Sequence, residues 1–265
     1  MSVKAGDVFW KCVNRARDLM ARTAQPFAPQ PPRRIPPGLL EAYTLNGRIP
    51  VKYRYFNNCY PQVLPRVYYP GRIDEFLKRV ARRENFYYQQ TSEWLYRALE
   101  KYSIRGQTVA VMGSALPACE SFCLFFGGIP TSVEYNKVIS RDPRIRAMTV
   151  AEYEKAPFAF DAAFSISSFE HDGLGRYGDP LDPDGDLKAM EKMKRTVRSG
   201  GLFFLAVPVG KDMLVWNAHR IYGRIRLPLL LRGWELVETF GLEDSDYQRD
   251  EERHVQPVLV LRSSA

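Results

Sequence analysis

No apolar run in this chain is long enough to cross a membrane. The longest, around 202–209 and 227–231, fall well short of the ~18 residues that a spanning helix requires. Cysteine is scarce. Cys12, Cys59, Cys119 and Cys123 are too few and too scattered for a disulfide framework or a zinc site. Cys119 and Cys123 stand one helical turn apart and read as small buried hydrophobes in a reducing, cytoplasmic setting. The N-terminus lacks the apolar stretch of a secretory signal. There are only three histidines, and the first strand-to-helix turn has one glycine where a dinucleotide fingerprint has three. A nicotinamide oxidoreductase is therefore poorly supported.

What is present is a globular composition. Of 265 residues 45% are hydrophobic and 13% aromatic, which is more apolar area than a disordered chain carries. The net charge of +8 is uneven. Residues 1–34 hold seven Lys/Arg against Asp7 and Asp18, a net of +5. A nucleic-acid footprint needs a clustered basic face on the folded body, so nucleic acid is not the expected partner. Residues 8–22 place Phe9, Val13, Ala16 and Met20 on one helical face. They predict a basic amphipathic helix that either docks on the main domain, contacts a membrane surface peripherally, or targets an organelle. Residues 25–38, with six prolines, read as a stiff linker.

Three regions follow from this reading: 1–38, a basic helix and proline-rich linker, of which residues 1–34 are expected to be separable; 39–104, a helical and irregular cap; and 105–265, an α/β domain. Helices are expected around 73–83 and 90–101. Beyond them, apolar runs at 108–112, 131–134, 161–166 and 202–207 alternate with helical patterns. Such alternation predicts a doubly wound, mostly parallel Rossmann-like sheet covered on both faces. The runs 234–239 and 258–261 have no helix between them. Two consecutive strands without a crossover must be antiparallel, which predicts a C-terminal hairpin.

A mostly parallel sheet closed in this way resembles the class I S-adenosylmethionine-dependent methyltransferases. Val109–Gly113 falls where that family has its first strand and glycine loop, and Glu134 where an acid ends the second strand. FDAAFSISSFEH (160–171) falls at the fourth strand, and RSGGLFFLAVP (198–208) at the fifth. A narrower resemblance, to a nematode-type domain family of unknown function, is carried by SSFEHDGLGRYGDPLDPDGDLKAM and WNAHRIYGRIRLPLL. The first resemblance implies S-adenosylmethionine as cofactor, with Gly113, Ser114, Glu134 and Ser167 around it. Glu134 would accept from the two ribose hydroxyls. Later glycines of the usual loop are replaced by Ser114, Ala115 and Pro117, and proline removes an N–H donor. The implied activity is methyl transfer to a small-molecule or glycan-type acceptor through oxygen. The alternative is a module of the same fold that binds without catalysing.

Ligands of doubly wound sheets lie beyond the carboxyl ends of the strands. His171 stands there, with the near-neutral pKa that a proton acceptor for a hydroxyl needs. It is the candidate base, with His219 as alternate; the competing role is to hold the loop by hydrogen bonds. Asp172 would orient the ring or cap the next turn. Arg176, Tyr177, Arg220 and Tyr222 are candidate substrate contacts, and the arginines would equally well pair with the Asp-rich loop 179–186. Asp182, Asp184 and Asp186 alternate like a calcium loop. Leu187 and Met193, however, occupy its glycine and glutamate positions, so no metal site is assigned. Asp184 or Asp186 is expected to cap the following helix.

Overall fold

A computed structural model describes residues 30–58, 65–87, 90–114 and 116–264. The amphipathic segment 8–22, Cys12 and Cys59 lie outside the described residues.

The elements that position the site are seven strands of one sheet and the helices on its two faces. The strands, numbered with the small-sheet strands in chain order, are β3 (Thr108–Met112), β4 (Ile129–Glu134), β6 (Arg146–Thr149), β7 (Phe160–Ile166), β8 (Val197–Ala206), β11 (Trp234–Phe240) and β12 (Val258–Ser263). Their order is β11-β12-β8-β7-β3-β4-β6. Strands β3, β4, β6, β7 and β8 are parallel, and β12 runs antiparallel to both neighbours. This is the doubly wound sheet with a C-terminal antiparallel hairpin that the alternation of apolar runs predicts. Edge strand β6 is additional; its four residues are too short to register as an apolar run. The Ser199-Gly200-Gly201 segment lies inside β8. The β7–β8 register shifts there, and Gly200 has φ +74°.

Alternation within each strand divides the core into two layers. Val109, Val111, Ala162, Phe164 and Phe204 pack on one face, with Ala110, Ala163, Phe203 and Leu205 on the other. Both sets are apolar because both faces are covered by helices. The helices α2 (Pro70–Ala81), α3 (Thr91–Lys101) and α4 (Ala118–Phe125) belong to the first layer, α5 (Val150–Lys155), α6 (Gly185–Thr196) and α7 (Arg226–Leu230) to the second. Cys119 and Cys123 are free and buried in α4, as their spacing predicts.

The chain runs outward from β3 through β4 to β6, then returns to the other side of β3 as β7. The connections therefore diverge between β3 and β7. In open α/β sheets that divergence opens a crevice at the carboxyl ends.

A second, three-stranded sheet is absent from the sequence reading. It joins β1 (Val51–Tyr53) in parallel to β9 (Met213–Trp216), which turns back as β10 (His219–Ile221). The stretch 216–222 is thus mostly hairpin. Residues 30–49 lie along it. Helix α1 (Pro37–Thr44) starts on a proline, which suits a first helical turn. Ile35, Tyr43 and Ile49 are buried with Leu174, Leu214 and Trp216. The Pro32 carbonyl accepts from Trp216 Nε1 at 3.1 Å, and the Pro31 carbonyl from the Tyr55 hydroxyl at 3.1 Å. Two further short strands, β2 (Arg66–Tyr68) and β5 (Val138–Ser140), pair in parallel beside the first sheet.

Candidate active site

The crevice is a cavity of about 870 Å³. Gly113, Glu134, Ser167, His171, Asp172 and Tyr177 all contribute to its wall. Six of the residues singled out from sequence are therefore brought together, from three different strand ends.

At one end Gly113 leaves β3 with φ +70°. A Cβ there would lie 1.8 Å from Ser168 Oγ, so the loops after β3 and β7 touch only because residue 113 has no side chain. Ser114 does not line the cavity. Its hydroxyl donates to Glu120 Oε2 at 2.8 Å, and Ser132 Oγ donates to Oε1 of the same carboxylate at 2.6 Å. Glu120 is fully buried, and burial raises its pKa. The sequence reading missed this residue. A lone carboxylate in the apolar stretch ACESFCLF was the available signal.

Glu134 ends β4 with 6% of its surface exposed. Its Oε1 is buried without a hydrogen-bond partner among the described residues. Burial pushes its pKa up to about 8, against the opposing pull of Arg66. Arg66 Nη1 lies 3.9 Å from Glu134 Oε2 and donates to the Ser114 carbonyl at 3.1 Å. Arg66 comes from β2, in the region read as irregular cap, where nothing in the local pattern singles it out.

His171 closes a 3₁₀ turn, Phe169–His171, directly after β7. Its Nδ1 lies 2.6 Å from the carbonyl oxygen of Ala218, in the turn between β9 and β10. Burial, with Arg176 next, lowers its pKa to about 3, so the ring is neutral at pH 7. Asp172 does not orient it: Ala218 holds the ring from across the fold. Glu170 is buried, accepts from Ser167 Oγ at 2.9 Å, and is raised by burial to about 7. The Asp172 carboxyl is also raised by burial, with Asp179 adding to the effect. Tyr177 packs edge-on to the His171 ring at 5.5 Å.

Four expected contacts lie elsewhere. His219 stands behind His171, ring centres 6.4 Å apart, and Nε2 is buried without a partner among the described residues. Burial and His254 lower its pKa to about 4, and its side chain does not line the cavity. Arg176 is engaged with Ala218 and Asn58. Arg220, 2% exposed, donates to the carbonyls of Asp172 and Pro183. Tyr222 is fully buried and donates to Asp186 Oδ2 at 3.0 Å.

The Asp-rich loop explains the last two. Asp186 is buried, and Arg226 meets it through two nitrogens at 2.6 and 2.9 Å, with Arg220 at 3.6 Å. A buried carboxylate needs such compensation, and these cations hold its pKa below the usual range against burial. The arginines therefore brace the cavity wall from behind. Neither Asp184 nor Asp186 caps α6: the Asp184 side chain makes no capping bond, and Asp186 is committed to Arg226. Among the described residues no group of three acidic, histidine or cysteine side chains is arranged to hold a metal ion. No helix among them is long and apolar enough to cross a membrane.

The sheet order, the crevice between β3 and β7, and the antiparallel final strand define a class I methyltransferase-like fold. The chain belongs to the family described as Caenorhabditis protein of unknown function, DUF268, which matches residues 107–258. No curated protein matches significantly in sequence. Among solved structures, the chain is similar to 1,6-didemethyltoxoflavin-N1-methyltransferase of Burkholderia thailandensis, with 18% identity and TM-score 0.47 over 64% of this chain and 76% of that one. It is also similar to the N-methyltransferase NodS of Bradyrhizobium japonicum, with 12% identity and TM-score 0.44 over 66% and 94%. A third is the PH0226 protein of Pyrococcus horikoshii, with 12% identity and TM-score 0.45 over 65% and 89%.

Proposed function

We propose that this protein is an S-adenosylmethionine-dependent methyltransferase acting on the oxygen of a small-molecule or glycan-type acceptor. The observation that carries the reading is Glu134. A buried carboxylate oxygen without a partner costs free energy unless a ligand supplies donors. This one borders a cavity of about 870 Å³ at the strand end beside Gly113. The two ribose hydroxyls of the cofactor are donors of the required kind, so the residues present fit the group.

When bound, S-adenosylmethionine supplies an electrophilic methyl group on a sulfonium. Glu134 would hold the ribose, with Gly113 and Ser167 beside it. The protein's remaining task is alignment, because in-line displacement depends on placing acceptor and donor correctly. His171 lies neutral in the same cavity; burial and Arg176 take away the near-neutral pKa expected of it, so it would act as a weak base whose Nε2 accepts the acceptor's hydroxyl hydrogen as the oxygen attacks. Asp172 and Tyr177 would border the acceptor.

A second reading, a module that binds without catalysing, rests on the first loop. There the Ser114 hydroxyl is turned to Glu120 and away from the cavity.

Calorimetric titration with S-adenosylmethionine and S-adenosylhomocysteine tests the proposal. Binding by the wild type is expected, and Glu134→Ala should weaken it by about 1.5–3 kcal/mol. Absence of binding in the folded wild type would sink the cofactor assignment. Binding without turnover on any hydroxyl acceptor would favour the module.

A further inference from the structure

The two nitrogens of His171 are not equivalent. Nδ1 is 2.6 Å from the Ala218 carbonyl oxygen, and that oxygen also accepts from Arg176 Nη1 at 3.0 Å. A carbonyl oxygen can only accept, so an Nδ1 this close must carry the proton. Arg176 Nη1 itself stands 3.4 Å from Nδ1. Its cation therefore opposes a second proton on the ring.

Arg176 is set by the N-terminal part of the chain. Its Nε donates to Asn58 Oδ1 at 2.9 Å, and its carbonyl accepts from the Asn58 backbone N–H at 2.8 Å. The guanidinium lies over the Phe56 ring, 4.6 Å from its centre. Phe56 is fixed in turn by Asn217, next to Ala218, which accepts from the Phe56 N–H at 2.8 Å and donates to its carbonyl at 2.9 Å.

We infer that Arg176 and the Ala218 carbonyl hold His171 as the neutral Nδ1–H tautomer, leaving Nε2 as its acceptor. Residues 56–58 are then a positioning part of the site, although they precede the sheet by about fifty residues. Other groups also face the ring. Glu170, whose Oε1 is 3.6 Å from Nε2, comes from its own turn, Tyr177 from the next loop, and His219 and Arg220 from the hairpin. Burial favours the neutral ring, and Arg176 is the closest cation to it. The catalytic meaning of this arrangement rests on the proposed methyl transfer; the tautomer does not.

The test is nitrogen-15 NMR of the imidazoles in the full chain, with His171 assigned through His171→Asn. The wild type should show His171 as the neutral Nδ1–H form from pH 5 to 8. In Arg176→Gln the titration midpoint should rise by about one pH unit, and Arg176→Lys should restore most of it. Asn58→Ala, which removes one partner of Arg176 without deleting it, should move the midpoint the same way by less. An Nε2–H tautomer in the wild type, or an unmoved midpoint in both Arg176→Gln and Asn58→Ala, would overturn the inference. A wild type that shows the expected tautomer yet binds neither S-adenosylmethionine nor S-adenosylhomocysteine would instead overturn the methyltransferase reading alone.

Discussion

Ser168 fills the space that a side chain on residue 113 would need. The two residues follow adjacent parallel strands, and their contact sets how closely the loops after β3 and β7 approach. Gly113→Ala should therefore destabilise the fold by about 1–3 kcal/mol through overpacking, with the strain of positive φ added. Removing the whole Ser168 side chain, in Gly113→Ala/Ser168→Gly, should recover the steric part but not the φ part. Chemical denaturation of both variants checks this; equal loss in the two would show that sterics are not the cause.

Glu134 gives the unliganded protein a pH dependence of definite sign. Its pKa is raised from 4.5 to about 8 on folding, so between those values the folded state holds a proton that the unfolded state has lost. Stability attached to this proton is complete below pH 4.5 and is lost as pH rises through 8, with a limiting slope of about 1.4 kcal/mol per pH unit. Glu170, raised to about 7, acts in the same direction. His171 and His219 act in the opposite one, but only below about pH 6.5. Between pH 6.5 and 8 the melting temperature should therefore fall, and less steeply in Glu134→Gln. A slope unchanged by that substitution would place the titration elsewhere.

For turnover, His171→Asn removes the titrating ring while keeping a polar side chain of similar size. If His171 is the base, kcat should drop about 10²–10⁴-fold in a folded variant that still binds cofactor, with much less change in KM. Because burial holds its pKa at about 3, this residue should not impose an acid limb on the wild-type profile between pH 5 and 8. An unchanged kcat would remove it from the chemistry.

A chain beginning at Ile35 provides a further check. It lacks the Pro31 and Pro32 carbonyls that accept from Tyr55 and from the indole N–H of buried Trp216. Leaving such a donor unsatisfied costs about 1–3 kcal/mol. The truncated protein should be soluble and less stable than the whole by roughly that amount. Equal stability would show that residues 1–34 are indeed a separable appendage.

The central sheet was legible because its strands are buried on both faces and read as unbroken apolar runs such as TVAVM and LFFLAV. The hairpin β9–β10 was not. Its strands are only four and three residues long, and its partner β1 lies far away along the chain. Gly113, Glu134 and His171 could be found because each sits at or shortly past the end of a recognisable strand. Arg66 and Asn58 could not, since they come from short or irregular segments whose placement depends on tertiary pairing. Arg220 and Tyr222 looked available because they follow the apolar run 202–207, beyond the carboxyl end of that strand. What decided their place was the buried charge of Asp186, a demand that appears only once α6 and the hairpin are packed together.

The parallel pairing of β1 with β9 also constrains how the molecule is made. Phe56 and Asn217 bond to each other across 161 residues of chain, so during synthesis the early strand emerges with no partner. It has to wait until five of the seven strands of the central sheet have been synthesised. Contacts of such separation form late and slowly. The Ala218 turn that holds His171 is then completed after the parallel strands have been made, and a nascent chain interrupted before residue 213 would contain all five parallel strands but no oriented histidine.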